Sequence, residues 1–216
     1  MCNRFRSIHA AENSPRALRE SLRFNFEFNP NVAPTDVVPV FLARIGGPPE
    51  AAMARFGITM KRGGATFPLT NARTDGIRKG QFRSHIKARR CVIPALGFYE
   101  WREEDGKQPY YFSRKDGQAL MLAGIWEEST YKDDTRPAFA ILTDEPNVLI
   151  TPYHDRMPLA LADDQIDTWL DLSQPIMPDA TLLLPLDHFQ VRPMDRAMNN
   201  SREKNLAKID PEAMVA

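Results

Sequence analysis

Residues 91–101 read CVIPALGFYEW, and this segment decides the fold class. Two apolar runs, Cys91–Ile93 and Gly97–Trp101, stand on either side of a proline and are typical of short strands. Similar runs follow at Tyr110–Ser113, Leu120–Ile125 and Ala138–Leu142, and turn sequences such as Asp105-Gly106 and Asp116-Gly117 separate them. Successive strands with helices at their flanks predict an α+β fold with a largely antiparallel sheet.

The flanking segments supply the helices. Ser14 and Pro15 suit the first turn of a helix that we expect to reach about Phe24. Val37–Leu42 is typical of a buried strand. The remaining predicted elements are a turn region over Gly46–Glu50, a helix or strand over Ala51–Ile58, a helix over Gln81–Arg89, a helix over Asp163–Leu172 with Ile166, Trp169 and Leu170 inward, and a helix or loose tail over Ser201–Ala216.

Length and composition favour one domain over residues 1–216. Hydrophobic residues make up 43% of the chain, and no apolar run reaches the ~18 residues of a membrane span. The polar N-terminus lacks the apolar core of a secretory signal, and two cysteines suit a reducing compartment. The four histidines are too scattered for metal-ligand spacing. We therefore expect a cytoplasmic protein without a membrane segment, a metal or a cofactor.

The charges are unevenly distributed. The chain has 28 basic and 28 acidic residues, but residues 71–90 hold a basic cluster with one acid, Asp75, and residues 162–180 hold aspartates without lysine or arginine. This asymmetry indicates a local anion site, although a solvated helix face would also explain the basic run.

Cys2 directly follows the initiator methionine. If Met1 is removed, Cys2 carries an α-amine and a thiol on adjacent carbons. Such a 1,2-aminothiol condenses with an aldehyde to a Schiff base, which the thiol closes to a thiazolidine. Both groups react near neutral pH, because the amine has an ordinary pKa of about 7.7 and the thiol one of about 8.5. The alternative is that a small second residue merely permits removal of Met1. Cys91, in contrast, lies in an apolar pattern and is expected in the core.

Five other polar residues are candidates for a site. Glu100 lies between a tyrosine and a tryptophan, where desolvation would raise its pKa and make it a general acid or base, although a solvent-facing position on an edge strand is equally compatible. His154 lies in a proline-bounded loop and could carry protons, or could be structural. Asn71 and Arg73 place an amide and a guanidinium two residues apart. Arg4, close to Cys2, indicates an anionic ligand.

At these residues the chain resembles the SRAP-domain proteins, the SOS response-associated peptidase family. The resemblance covers about residues 1–158 in order, with looser similarity beyond. The matching motifs are Met1-Cys2-Asn3-Arg4-Phe5, Ala33-Pro34-Thr35 with the strand after it, Asn71-Ala72-Arg73, the block from Arg89 to Trp101, Ala123 to Glu127, and His154 to Pro158.

The resemblance implies an α+β fold with a bifurcated, partly barrel-like sheet surrounded by helices. It also implies capture of abasic sites in single-stranded DNA, because the ring-opened sugar carries the aldehyde that a 1,2-aminothiol needs. By match to the family motifs, Cys2 is the nucleophile and Asn71 orients the N-terminus or the sugar. Glu100 is then the general acid/base, and His154 donates a proton to the opened sugar or its leaving phosphate.

The same resemblance implies a DNA-binding surface. Arg4 and Arg73 would hold phosphates beside the lesion, with Arg78 and Arg83 as further contacts. We expect a monomer that resides in the cytoplasm and associates with the nucleoid when bound to DNA. Met1 is removed either by the protein itself, as the family name implies, or by a general aminopeptidase.

The chain departs from the family between Phe56 and Arg62, where a second tryptophan and a proline are absent, and Gly63-Gly64 follow. Family aromatics here stack on bases, so Lys61 and Arg62 would substitute charge for stacking. Asn3 stands where glycine is common, a difference expected to be minor.

Two other classes of function remain open. An N-terminal-nucleophile hydrolase or amidotransferase also begins Met-Cys and uses the Cys2 thiolate against an amide. A non-catalytic nucleic-acid-binding module would use the basic run of residues 71–90 and tolerate loss of Cys2.

Overall fold

The structure, a computed structural model, describes residues 3–9, 16–129, 134–179 and 182–210. Short helices surround a large sheet in these ranges. The helices are α1 (Arg16–Arg19), α2 (Thr74–Arg78), α3 (Arg83–Ala88), α4 (Ile166–Leu170) and α5 (Leu206–Ile209). The strands are β1 (Phe5–Ser7), β2 (Val37–Arg44), β3 (Gly47–Phe56), β4 (Ile58–Arg62), β5 (Ala65–Leu69), β6 (Asn71–Arg73), β7 (Arg90–Arg102), β8 (Gln108–Arg114), β9 (Leu120–Glu127), β10 (Ala138–Asp144), β11 (Met157–Pro158), β12 (Ala160–Leu161) and β13 (Phe189–Pro193).

Eleven strands form one sheet, and β4 and β5 pair separately. Five of the eleven close a ring in which β7 pairs with β9, β9 with β10, β10 with β3, β3 with β2, and β2 again with β7. All pairings are antiparallel except those of β10 with β3 and β6. The predicted α+β fold with a largely antiparallel sheet is therefore confirmed.

The strands of the ring are buried on both of their faces by apolar side chains. Residues such as Val40, Ile93 and Leu122 belong to one apolar cluster with the N-terminal strand residue Phe5. Their sequence neighbours, such as Val92 and Ala123, belong to a second cluster that also contains helix residues. Since successive strand residues point to opposite faces, the first cluster fills the ring and the second lies beneath the helices.

Strand β7 is continuous from Arg90 to Arg102, so the two short runs predicted around Pro94 form one strand. Along one edge it pairs with β9 over residues 90–95 and then with β8 over residues 98–102. Along the other edge it pairs with β2 at residues 91 and 92 and then with β1 from residue 95. Pro94 falls in the gap between those last two partners, where its missing N–H breaks no pairing.

The sheet branches where β7 exchanges partners, near Gly97. A Cβ atom at Gly97 would lie 2.5 Å from the Tyr111 ring and would also contact the Phe112 carbonyl, so β8 packs directly on the glycine backbone. The pairing with β1 shifts register in the same place. Only glycine permits this close approach, which accounts for the bifurcation of the sheet.

Several element boundaries differ from the predictions. Helix α1 ends at Arg19 and not near Phe24, and the predicted start at Ser14 and Pro15 lies outside the described residues. The turn predicted over Gly46–Glu50 contains only two residues in the structure, because β3 begins at Gly47, where it pairs with β2. Helices α3 and α4 confirm the helices expected in their segments, and Ile166, Trp169 and Leu170 are buried as predicted.

The C-terminal segment packs onto the N-terminal strand. Asp210, only 1% exposed, accepts hydrogen bonds from Arg6 on β1 and Arg192 on β13, at 2.6 and 2.7 Å. Burial opposes ionisation of Asp210, but these hydrogen bonds outweigh it and lower its pKa. Asn31 donates to the carbonyls of Asn200 and Glu203. Within the predicted segment, helix α5 covers Leu206–Ile209, and the part beyond residue 210 lies outside the described residues.

No helix in the described ranges combines the length and the apolar character that a membrane crossing requires.

Candidate active site

A cleft of about 1010 Å³ lies beside the end of β7. Its walls come from separate parts of the chain: the N-terminal strand, the end of β7, the loop before β11, and the C-terminal segment. Its lining includes Asn3, Arg4, Pro34, Glu100, Trp101, Glu103, Glu104, Lys107, Tyr153, His154, Asp155, Asn199 and Ser201.

Strand pairing places the start of the chain at Glu100. Phe5 pairs with Phe98, and the backbone N–H of Tyr99 donates to the carbonyl of Arg4 at 3.0 Å. Because the two strands run antiparallel, the next residue of the N-terminal strand, Asn3, falls opposite Glu100. Both residues line the cleft.

Glu100 is a buried carboxylic acid at this position. Its exposed fraction is 2%, and burial raises its pKa to about 7, with a smaller contribution from the Asp155 carboxylate. The sequence prediction of a desolvated carboxyl between two aromatic residues is confirmed. A group with this pKa exchanges protons readily near neutral pH.

His154 is distant from Glu100 in the sequence but lines the same cleft. Its loop is shaped by the Asn147 side chain, which accepts from the backbone N–H groups of Leu149 and Ile150. The Arg156 backbone N–H donates to His154 Nδ1 at 3.0 Å and orients the ring, and an Asp155 carboxylate oxygen lies 2.9 Å from the same nitrogen. Burial lowers the pKa of His154, so the neutral imidazole predominates at neutral pH.

Asn71 is held by the N-terminal strand. Its Nδ2 atom donates to Asn3 Oδ1 at 2.7 Å and to Thr70 Oγ1 at 3.0 Å, and the Thr70 hydroxyl donates to the same Asn3 oxygen at 2.7 Å. Asn71 is 6% exposed, and its Oδ1 atom accepts no hydrogen bond within the described part of the chain. The side chain of Asn3, expected to be a minor difference, is therefore part of the site.

The predicted DNA-binding arginines are in different surroundings. Arg4 lines the cleft but is 8% exposed; its guanidinium donates to Asn31 Oδ1 at 2.6 Å and to the Met198 carbonyl at 2.9 Å. Arg4 thus ties the N-terminal strand to the C-terminal segment. Arg73 is exposed and forms a paired contact with Asp75, whose hydrogen bonds raise the pKa of Arg73.

Arg78 and Arg83 line a separate cavity of about 260 Å³ and not the cleft of Glu100 and His154. Arg78 also donates to Asp144 at 3.3 Å. Any contact that these two arginines make with a ligand therefore lies outside the cleft of Glu100 and His154.

Cys2, the predicted nucleophile, lies outside the described residues. Cys91 is fully buried within the ring, and burial raises the pKa of its thiol, in agreement with its predicted place in the core.

Sequence reasoning missed the aromatic residues of the cleft as members of the site. The Trp101 indole N–H donates to Asn199 Oδ1 at 2.6 Å, and the Arg4 guanidinium lies 5.4 Å from the centre of its ring. Tyr153 packs edge-on against Tyr110. Trp101 directly follows Glu100 in the sequence, and Tyr153 directly precedes His154. This adjacency was the sequence feature that could have identified them as members of the site.

Carboxylates dominate the charge of the cleft. Glu103, Glu104 and Asp155 are exposed along its wall, near the buried Glu100. Within the described ranges, no three or more His, Cys, Asp or Glu residues are grouped so that they could hold a metal ion.

The segment that departs from the family motif forms the β4–β5 hairpin, with Gly63 and Gly64 at its tip. Lys61 is exposed and Phe67 is 38% exposed. The substitution of charge for stacking in this hairpin stays a prediction.

The family model for SOS response associated peptidase (SRAP) matches residues 1–201, and the chain belongs to this family. A relative named abasic site processing protein YoaM, from Bacillus subtilis, is 32% identical over 154 residues, which are 68% of this chain and 67% of the relative. Abasic site processing protein HMCES from Xenopus tropicalis is 30% identical over 69% of this chain and 50% of its own length. Abasic site processing protein YedK from Escherichia coli is 29% identical over 67% of this chain and 68% of its own.

The chain thus spans between half and about two thirds of the length of these relatives. Solved structures share the fold. A protein from Bacteroides thetaiotaomicron has a TM-score of 0.71 over 94% of this chain and 97% of its own, at 21% identity. A phage-related protein from Bordetella bronchiseptica has a TM-score of 0.70 over 89% and 93%, at 24% identity.

The burial of Glu100 can be tested through stability. The folded protein favours the protonated acid, so ionisation destabilises it as pH rises from the ordinary pKa of 4.5 through about 7. Relative to Glu100→Gln, the wild type should lose up to about 3 kcal/mol of unfolding free energy between about pH 5 and about pH 8. Urea unfolding across this range measures the difference. Glu104→Gln controls for loss of a carboxylate from the same cleft, and a pH-independent difference for Glu100→Gln would contradict the raised pKa.

Proposed function

We propose that this protein processes abasic sites in single-stranded DNA by forming a covalent thiazolidine link through Cys2. The observation that carries the proposal is the position of Glu100, a buried acid with a pKa of about 7, opposite Asn3 in the cleft. Cys2 precedes Asn3 by one peptide unit, about 3.8 Å between Cα atoms, so its reactive groups are tethered to this site. Family membership and the names of the relatives support the coarser part of the proposal, the processing of abasic sites.

The proposed reaction uses only the protein, the ring-opened sugar and water. Hydrolysis of the Met1–Cys2 bond exposes the α-amine, which attacks the aldehyde carbon of the ring-opened sugar to give a carbinolamine. Loss of one water gives the Schiff base. The Cys2 sulfur then adds to the imine carbon while the nitrogen takes up a proton, so the net product is a thiazolidine and one water.

Glu100 is suited to the proton transfers in this sequence. Near neutral pH both of its forms are populated, because burial holds its pKa at about 7. The acid form can protonate the departing carbinolamine hydroxyl, and the carboxylate can accept the proton of the attacking thiol. The same steps in reverse open the ring and release the DNA.

His154 is suited to the sugar rather than to the amine. Its neutral ring is oriented by the backbone N–H of Arg156, which donates to Nδ1. We assign to it the proton transfer that opens the closed sugar or accompanies departure of a phosphate.

The acidic cleft restricts where the phosphates run. Carboxylates at Glu103, Glu104 and Asp155 would repel a phosphate, so the cleft takes the sugar while the backbone follows its rim. Arg73 is exposed and lies two residues after Asn71, whose side chain bonds to the cleft residue Asn3, and this supports a position near that rim. Arg78 and Arg83 would extend the path away from the cleft, whereas Arg4 acts by holding the N-terminal strand.

The remaining parts of the proposal concern the protein in the cell. We assign removal of Met1 to the protein itself, as the family name implies. We also propose that it acts as a monomer in the cytoplasm and associates with the nucleoid through abasic DNA.

The Cys2 mechanism predicts a specific adduct. Untagged protein mixed with single-stranded DNA carrying one abasic site should give a product that survives a denaturing gel. Its mass should be the sum of the DNA and of the protein that begins at Cys2, minus one water. Cys2→Ala should give none, and Cys2→Ser at most a weaker one, because an oxazolidine is less stable than a thiazolidine. Intact DNA of the same sequence is the control.

Other outcomes of this assay separate the alternatives. Equal binding of intact and abasic strands by the wild type and by Cys2→Ala would identify a non-catalytic binding module. Glutamine hydrolysis without an adduct would identify an amidotransferase. A full yield of adduct from protein with a blocked N-terminus would rule out the thiazolidine.

The roles of Glu100 and His154 predict different kinetic defects. Glu100→Gln should slow both formation and release of the adduct by about 10²-fold, because general acid–base catalysis is lost, while the DNA concentration for half-maximal rate stays unchanged. His154→Ala should slow reaction with abasic DNA but leave reaction with a small open-chain aldehyde nearly intact. Wild-type rates for Glu100→Gln in both directions would show that this acid has only a structural role.

Arg73 is expected to supply part of the electrostatic attraction for DNA. Arg73→Glu should raise the DNA concentration needed for half-maximal crosslinking and reduce the salt dependence, whose slope is about −0.7 per phosphate contact for single strands. Arg136→Glu is the matched control, because Arg136 is also exposed and paired with an aspartate two residues away, Asp134. Equal affinities for the two variants would mean that the DNA surface is elsewhere.

A further inference from the structure

The hydrogen bonds of the Asn3 side chain decide which end of the Asn71 amide faces the site. The Asn3 Oδ1 atom accepts two hydrogen bonds, from Asn71 Nδ2 and from the Thr70 hydroxyl, both at 2.7 Å. The side chain therefore joins the N-terminal strand to β6 and to the residue before it. This contact lies directly next to Cys2 in the sequence.

The same arrangement fixes the orientation of the Asn71 amide. Its Nδ2 atom lies 2.7 Å from Asn3 Oδ1 and 3.0 Å from Thr70 Oγ1, so the NH2 group faces these two residues. The other end of the amide is Oδ1, which is an acceptor only. This oxygen is buried and has no hydrogen-bond partner within residues 3–9, 16–129, 134–179 and 182–210.

A buried acceptor without a partner is costly, so its complement is a donor. We propose that Asn3 is a positioning residue that fixes the Asn71 amide so that its oxygen accepts from an N–H or O–H group of the reacting centre. This inference rests on the proposed function and deepens it. The donors available in that reaction are the α-amine of Cys2 and the hydroxyl of the carbinolamine.

Asn3 has two effects on the site. It holds the backbone of the N-terminal strand beside Glu100, and it prevents the Asn71 amide from turning its N–H groups toward the amine. A donor turned toward an amine would compete for the proton-free form that attacks the aldehyde. Thr70, which contacts both side chains, completes the arrangement.

Single-turnover crosslinking tests the inference, with the rate of adduct formation measured against the concentration of abasic single-stranded DNA. Asn3→Leu keeps the shape but removes the acceptor, and it should lower the maximal rate on the order of tenfold. The DNA concentration for half-maximal rate should stay the same. Asn3→Asp retains an acceptor oxygen and should recover most of the maximal rate.

A double-mutant cycle distinguishes positioning from a general structural effect. If Asn3 acts through the Asn71 amide, the variant Asn3→Leu with Asn71→Leu should be no slower than Asn71→Leu alone. Asn3→Gly is the second variant that deletes the acceptor, in case leucine disturbs folding. Asn25→Leu, at an exposed asparagine outside the cleft, is the matched control.

The outcomes separate the two proposals. No adduct from the wild type overturns both the proposed function and this inference. A normal adduct from the wild type together with wild-type maximal rates for Asn3→Leu and Asn3→Gly overturns the inference alone. Additive effects of the two leucine substitutions, or a change confined to DNA affinity, would likewise overturn the positioning role.

Discussion

The close packing of β8 on Gly97 is the constraint on which the rest of the structure depends. Because glycine has no side chain, the Tyr111 ring and the Phe112 backbone contact β7 directly, and β7 exchanges its partner β9 for β8. The ring of strands lies before this point, and the cleft lies after it. Glu100 is three residues beyond Gly97, so the branch that shapes the sheet also buries the acid of the candidate site.

The two ends of the described chain support each other at this branch. β1 pairs with β7 on either side of Gly97, and its Arg6 side chain reaches Asp210 near the C-terminus. Breaking a buried, hydrogen-bonded ion pair typically costs about 3–5 kcal/mol, because one charge is left without its partner. The N-terminal strand, which delivers Asn3 to the cleft, is thus fixed by residues about two hundred positions away in the sequence.

Local patterns predicted the parts whose causes are local. The apolar runs around Pro94 and the segment of α4 followed from neighbouring side chains, whereas local sequence left the burial of Glu100 open. The role of Arg4 was harder to foresee. Its charge indicated a phosphate ligand, but its guanidinium is hydrogen-bonded to Asn31 and Met198, which are distant in sequence.

The sequence by itself determined the strand-rich α+β class, the core position of Cys91 and the identity of the candidate acid, histidine and amide, because composition and short motifs carry that information. Tertiary structure alone decided which of them meet. It brought Glu100 and His154 into one cleft, placed Arg78 and Arg83 beside another, and gave Asn3 a hydrogen-bonding role. The physical reason is that strand register and the close approach at Gly97 join segments far apart in the chain, and no local pattern records those distances.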